Sequence, residues 1–254
     1  MSDLSAFSLT GKRIMVTGAN TGIGQGIAVS IARAGGAVIG VGRSAMDETA
    51  GMVETEGVPF TGVYCDLRDH AAASAMLREV WAGYGPIDGL VNNAGIIRRA
   101  DAAAFAEKDW DDVMDVNLKT LFFLSQAFAE RILDAGRQGR IVNIASVLSF
   151  QGGIRVASYT ASKHGVLGIT RLLACEWAAK GVNVNAIAPG YVVTNNTEAL
   201  RNDPDRSAAI LGRIPAGRWG APSDIGDAAV FLLAPASGYM HGATIAVDGG
   251  WLAR

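Results

Sequence analysis

The chain has 254 residues and a formal net charge of −2; half of it is hydrophobic and 18% is charged, which supplies a sizeable core and argues against disorder. That balance gives no footing for nucleic acid or an anionic membrane as a partner, and no apolar run approaches the roughly 20 residues of a membrane span. No linker or low-complexity tract divides the chain, so residues 1–254 read as one domain.

The opening MSDLSAFSLT carries an acid and no basic n-region, so no secretory signal is expected and the cytoplasm is the expected compartment. The first predicted strand, Arg13–Thr17, runs into Thr17-Gly18-Ala19-Asn20-Thr21-Gly22-Ile23-Gly24, and a helix is predicted over Gly22–Ala34. Glycines let a backbone turn sharply and approach a pyrophosphate, and a helix N-terminus offers free N–H groups to phosphates. The glycines at 18, 22 and 24 do not follow the GxGxxG spacing.

A strand over Ala37–Val41 is followed by Gly42, Arg43 and Ser44. In nucleotide-binding α/β folds an acid here meets ribose hydroxyls, whereas an arginine accommodates a 2′-phosphate, so this position favours NADP(H). Strands over Phe60–Cys65 and Gly89–Asn92 end in Asp66-Leu67 and Asn92-Asn93-Ala94-Gly95, separated by a helix over Ala71–Tyr84. One long helix is predicted over Trp110–Leu133 and carries Asn117; the next strand, Arg140–Ala145, ends at Ser146.

A helix over Tyr159–Lys180 places Tyr159 and Lys163 one turn apart on one face. A free tyrosine is too weak an acid to serve as a base near neutrality, and a neighbouring ammonium favours its phenolate. The strand Val182–Ala188 leads to Pro189-Gly190, Val192 and Thr194, and Ala243–Val247 is the last strand. Strands alternating with helices imply βαβ units, a parallel sheet and ligand binding at the strand carboxyl ends. Cys65 and Cys175 show no metal-ligand spacing and read as buried reduced thiols; the three histidines form no HExxH pattern, so no metal is expected.

Taken together, the TGxxxGxG turn, Asp66-Leu67, Asn92–Gly95, Asn117, Ser146, Tyr159-xxx-Lys163 and Pro189-Gly190 resemble the short-chain dehydrogenase/reductase family over nearly the whole chain. The resemblance implies an α/β, Rossmann-type doubly wound parallel sheet of about seven strands with helices on both faces. It also implies an NAD(P)-dependent oxidoreductase. Gly18, Asn20, Thr21, Gly22, Ile23, Gly24, Arg43, Asp66, Leu67, Asn93, Ala94, Gly95, Tyr159, Lys163, Pro189, Gly190, Val192 and Thr194 would hold the cofactor. Tyr159 would be the acid/base, Ser146 would bond the substrate oxygen, Lys163 would lower the tyrosine pKa, and Asn117 would hold a water joining the lysine to solvent.

Further segments, among them Ile97-Arg98-Arg99, Leu148–Arg155, Thr194–Thr197 and Val247–Arg254, resemble a sugar-acid branch of that family acting on gluconate and deoxygluconate types. That branch implies NAD(H), against Gly42-Arg43. A sugar acid needs a cation, for which Arg155 is the first choice beside Arg98 and Arg99, and polar groups such as Gln151, Asn195 and Asn196 for its hydroxyls. Residues 191–213 have the length and polarity of a substrate lid. The resemblance also implies a homotetramer or homodimer. A 3-oxoacyl-thioester reductase, a non-catalytic nucleotide-binding regulator and a sugar epimerase or dehydratase of the extended branch remain alternatives.

Overall fold

The computed structural model describes residues 4–254; Met1–Asp3, the start of the segment read for a leader, lie outside them. Seven strands, β1 (Arg13–Thr17), β2 (Ala37–Gly42), β3 (Phe60–Tyr64), β4 (Gly89–Asn92), β5 (Gly139–Ile144), β6 (Val182–Pro189) and β7 (Thr244–Val247), form one sheet in the order β3-β2-β1-β4-β5-β6-β7. Every neighbouring pair is parallel. The strand order reverses between β1 and β4, which opens a crevice at their carboxyl ends. Each expected strand is present, with ends displaced by no more than one residue.

Helices cover both faces because alternate residues of each strand point to opposite sides. Ile14, Val16 and Val38 pack with Ile27 and Ile31 of α1 (Gly22–Arg33), Val53 of α2 (Asp47–Thr55) and Ile225, Ala229 and Leu232 of α9 (Pro222–Leu233). On the other face Met15, Ile39 and Leu90 pack with Leu77 of α3 (His70–Tyr84), Phe128 and Ile132 of α5 (Leu121–Asp134), and Leu173 and Trp177 of α6 (Ala157–Trp177). Gly26 lets α1 and α9 meet closely: a β-carbon there would stand 2.5 Å from Pro222 Cβ.

Two expectations need correction. The long helix expected over Trp110–Leu133 is α4 (Glu107–Met114), a π-helical turn over Asp115–Thr120, and then α5. Tertiary bonds accompany the wider turn: Thr120 Oγ1 donates to the Leu67 carbonyl, and Asn117 bonds Ile96. Cys175 is exposed rather than buried, because it lies on the outward face of α6; Cys65 is buried. Residues 191–213, read as a substrate lid, contain the short helix α7 (Glu198–Arg201) and α8 (Pro204–Leu211), the latter capped by Asp203, whose carboxylate accepts from Arg206 N–H at 3.0 Å.

Candidate active site

β1 delivers the chain to the glycine turn, and the end of β4 holds that turn in place. Thr17 Oγ1 accepts the main-chain N–H groups of Asn93 and Ala94, each at 3.0 Å, while Asn93 Nδ2 donates to the Thr17 carbonyl at 2.8 Å. Gly18 has φ +68°, and a β-carbon on Gly24 would stand only 2.0 Å from the Gly18 carbonyl oxygen, so the turn closes only on glycine. Thr21, the N-cap of α1, makes no side-chain capping bond, which leaves the N-terminal N–H groups open to an anion. Arg43 at the end of β2 is exposed and makes no ion pair or hydrogen bond among the described residues. An uncapped helix end, a glycine cradle and an uncommitted guanidinium suit the phosphates of a dinucleotide.

A cleft of about 770 Å³ runs from this turn across the sheet ends. Every residue expected around the cofactor lines it, from Gly18 through Arg43, Asp66, Leu67, Asn93–Gly95 and Pro189 to Val192 and Thr194. Asp66 is gripped by Arg68, whose Nη2 lies 2.5 Å from Oδ2, and this partner holds the carboxyl down to about 2. Ser44, Tyr64, Arg68, Ile96 and Val116 also line the cleft and were not expected there. Ser44 and Arg68 flank motif residues in sequence; Val116 is signalled only by its place beside Asn117.

Ser146, Tyr159 and Lys163 line the same cleft beyond the nicotinamide-side loops. Lys163 is buried, its Nζ donates to the Ile144 carbonyl at 2.5 Å, and desolvation pulls its pKa down to about 8. Its ammonium stands 5.6 Å from the centre of the Tyr159 ring. The Tyr159 hydroxyl behaves otherwise than the sequence suggests. Burial pushes its pKa up, and the opposing pulls come from a hydrogen bond with Ser146 and the charge of Arg99 rather than from Lys163. Tyr159 is half-buried in the cleft wall, and desolvation there outweighs a cation already bonded to a carbonyl.

Asn117 stands behind these residues, not in the cleft wall. Its Oδ1 accepts Ile96 N–H at 2.8 Å and its Nδ2 donates to the Ile96 carbonyl at 2.9 Å, so the amide clamps the strand-end loop to the π turn. Nδ2 also approaches Ser162 Oγ at 3.3 Å, and Ser162 donates to the Tyr159 carbonyl at 2.8 Å.

The substrate-side candidates separate. Arg98, Asn195 and Asn196 line the cleft; Arg99, Gln151 and Arg155 do not. Arg155, at φ +63°, turns its side chain to Asp101 at 3.1 Å on the exposed rim, so the ion pair claims the cation expected for the substrate. Arg98 is likewise committed, 3.3 Å from Asp109 and 3.5 Å from Asp112 of α4. Arg99 alone of the three has no carboxylate partner; its Nη2 donates to the Asn196 carbonyl at 3.4 Å, and its charge reaches Tyr159.

The family model described as Enoyl-(Acyl carrier protein) reductase matches residues 18–252. The chain belongs to the short-chain dehydrogenase/reductase family. Among short-chain dehydrogenases it is 58% identical over 251 residues to the 2-dehydro-3-deoxy-D-gluconate 5-dehydrogenase of Escherichia coli, covering 99% of each chain. It is also similar to a solved structure from Agrobacterium tumefaciens, described as a 2-deoxy-D-gluconate 3-dehydrogenase with bound NADP. There the TM-score is 0.94 and the identity 60%, with 98% of this chain and 99% of that one covered. A structure from Beutenbergia cavernae, described as an NAD(P)-dependent gluconate 5-dehydrogenase with bound NADP, gives a TM-score of 0.94 at 51% identity, covering 98% and 100%. Like other short-chain dehydrogenases, this chain is an NAD(P)-dependent oxidoreductase.

Proposed function

We propose that this enzyme transfers a hydride between NADP(H) and a secondary hydroxyl or ketone of a small sugar acid of the gluconate or deoxygluconate type. The observation that carries the reading is one cleft in which the glycine turn and the Ser146, Tyr159 and Lys163 side chains converge. When bound, the nicotinamide supplies the hydride acceptor or donor. Tyr159 takes the hydroxyl proton in oxidation and returns it in reduction, at its phenolic oxygen. Ser146 donates to the substrate oxygen as negative charge develops there. Lys163, its ammonium 5.6 Å from the Tyr159 ring centre, supplies a cation for the ribose. Asn117 fixes the loop that carries Ile96 and would hold the water that joins Lys163 to solvent.

Arg98 and Arg155 each face an acid, whereas Arg99, bonded to cleft-lining Asn196 and without a carboxylate partner, is the cation for the substrate carboxylate in place of Arg155. Asn195 and Asn196 stand across from it for the hydroxyls, and residues 191–213 form the lid. Arg43 beside Gly42, at the strand end where an acid would meet ribose hydroxyls, supports NADP(H) over NAD(H). We place the enzyme in the cytoplasm as a homotetramer or homodimer; among the described residues no helix is long and apolar enough to cross a membrane.

A panel of gluconates and an acetoacetyl thioester, offered with both cofactors and followed by nicotinamide absorbance, tests the substrate class. The reading requires turnover of at least one sugar acid well above that of the thioester, and near-total loss of it in Tyr159→Phe with nicotinamide binding kept. A preference for the thioester would move the enzyme to the acyl reductases, and undiminished turnover in the tyrosine variant would end the mechanism.

A further inference from the structure

β5 ends at Ile144, and the chain then makes a single 3₁₀ turn, Val147–Ser149, before the loop that leads to α6. Ser146 caps that turn: its Oγ accepts the Leu148 N–H at 3.1 Å. A hydroxyl carries one proton and two lone pairs. With one lone pair taken by Leu148, the proton and the second lone pair remain for the cleft, where Tyr159 lies and a substrate oxygen would sit.

Ser149 completes the turn from the other side. Its hydroxyl, on a residue only 4% exposed, accepts the main-chain N–H of Ser146 at 3.2 Å and donates to the Lys163 carbonyl at 2.7 Å. Lys163 in turn sends its side chain back to the Ile144 carbonyl. The segment from Ile144 to Ser149 is therefore fastened to α6 at both ends, once through the lysine side chain and once through Ser149. We propose that Ser149 is a positioning residue for the reaction: it fixes the backbone of the Ser146 turn against the Tyr159–Lys163 helix, so that Ser146 meets the substrate as a hydrogen-bond donor.

This inference rests on the assignment of Ser146 as the donor to the substrate oxygen. In Ser149→Ala the buried Ser146 N–H loses its acceptor and the turn loses one of its two fastenings. The expected result is a fall in kcat of roughly tenfold or more, the scale set by one unsatisfied buried donor. KM for nicotinamide and for sugar acid should stay near wild type, because Ser149 does not line the cleft. Ser149→Thr, which keeps the hydroxyl, should restore most of the loss.

The deciding experiment is a double-mutant cycle of Ser146→Ala and Ser149→Ala, reading kcat with a gluconate, nicotinamide affinity by fluorescence, and Tm. A residue acting through Ser146 adds nothing once that hydroxyl is gone, so the double variant should turn over no more slowly than Ser146→Ala. A kcat penalty for Ser149→Ala that repeats in full in the Ser146→Ala background overturns the proposal and makes Ser149 a general support of the fold. Wild-type kcat in Ser149→Ala overturns it directly. Wild-type kcat in Ser146→Ala would instead remove the assignment of Ser146 and the route for Ser149 with it. Should Ser149→Ala fail to accumulate as folded protein, Ser149→Cys keeps the volume, weakens both bonds and carries the same cycle to the same outcomes.

Discussion

Tyr159 has to lose a proton to oxidise and hold one to reduce, and its surroundings pull that proton both ways. Burial raises its pKa, whereas the Ser146 hydrogen bond and the Arg99 charge lower it. Oxidation should therefore speed up as pH rises and phenolate accumulates. Arg99→Gln removes one of the lowering influences, so the rising limb of its kcat/KM for oxidation should move to higher pH. The same variant should raise KM for a sugar acid at least tenfold more than for its uncharged analogue, which has no ion pair to lose. An unmoved limb with equal effects on both substrates would return Arg99 to the solvated rim. Lys163 gives a stability counterpart. It releases its proton near pH 8 when folded and near 10.5 when unfolded, so between those values the unfolded chain binds more protons and stability rises with pH. Below pH 8 the buried ammonium carries its full desolvation penalty. Lys163→Met should lose turnover and weaken cofactor binding, yet melt no lower than wild type at pH 7, with its relative standing worsening as pH climbs through that window. A melting difference independent of pH would show that Lys163 is not held against its desolvation.

At the scale of elements, α8 and the chain's last turn hold each other. Trp251, 4% exposed, packs among Ile210, Ile214 and Val147, and Arg213 stacks over its ring at 4.0 Å. Arg254 Nη2 donates to the Gly212 carbonyl at 2.6 Å and Nε to the Arg213 carbonyl at 3.3 Å. Removing Arg254 frees these carbonyls at the C-terminal end of the proposed lid. Trypsin should then cut at Arg206 or Arg213 several-fold faster than in wild type, with KM for the sugar acid rising and nicotinamide affinity unchanged; equal cleavage rates would show that the tail does not hold α8. How such elements appear in sequence depends on how local their causes are. Parallel strands buried on both faces, such as β2 with AVIGVG, announce themselves as apolar runs, and the glycine turn is dictated by backbone sterics at Gly18 and Gly24. The π turn at Asp115–Thr120 does not, because its side-chain bonds run to Ile96 and Leu67, residues 21 and 53 positions away. Arg155 misled for the same reason: its place between Ser146 and Tyr159 in sequence suggests the cleft, but Asp101 draws it to the rim. Cys175 reads as a core thiol in an apolar helix, yet the helix face that holds it points outward.

Across the whole molecule, the two apolar cores lie on opposite faces of one continuous sheet, and the cleft straddles the β1–β4 crevice that divides its two halves. The cleft is lined by residues at or just beyond the ends of β1, β2, β4, β5 and β6, so binding of a dinucleotide is expected to stabilise the fold as a unit. A ligand at a hundred times its Kd adds about 2.7 kcal/mol. For a chain of this length that corresponds to a rise in Tm of roughly 5–10 °C. If Arg43 reads a 2′-phosphate, NADPH should give this rise at concentrations where NADH gives little, because the two differ only in the group that Arg43 meets. The substitution that tests this is sterically available: a β-carbon on Gly42 would find its nearest neighbour, Asn20 Oδ1, at 3.4 Å, and Gly42 does not have positive φ. A Gly42→Asp/Arg43→Ala double variant thus places a carboxylate where ribose hydroxyls would lie and removes the guanidinium. Its melting shift should exchange, larger with NADH and smaller with NADPH, and kcat/KM for the two cofactors should follow the same exchange. Equal shifts with both cofactors in wild type, left unaltered by the double substitution, would mean that Arg43 stacks on the adenine and does not select the phosphate.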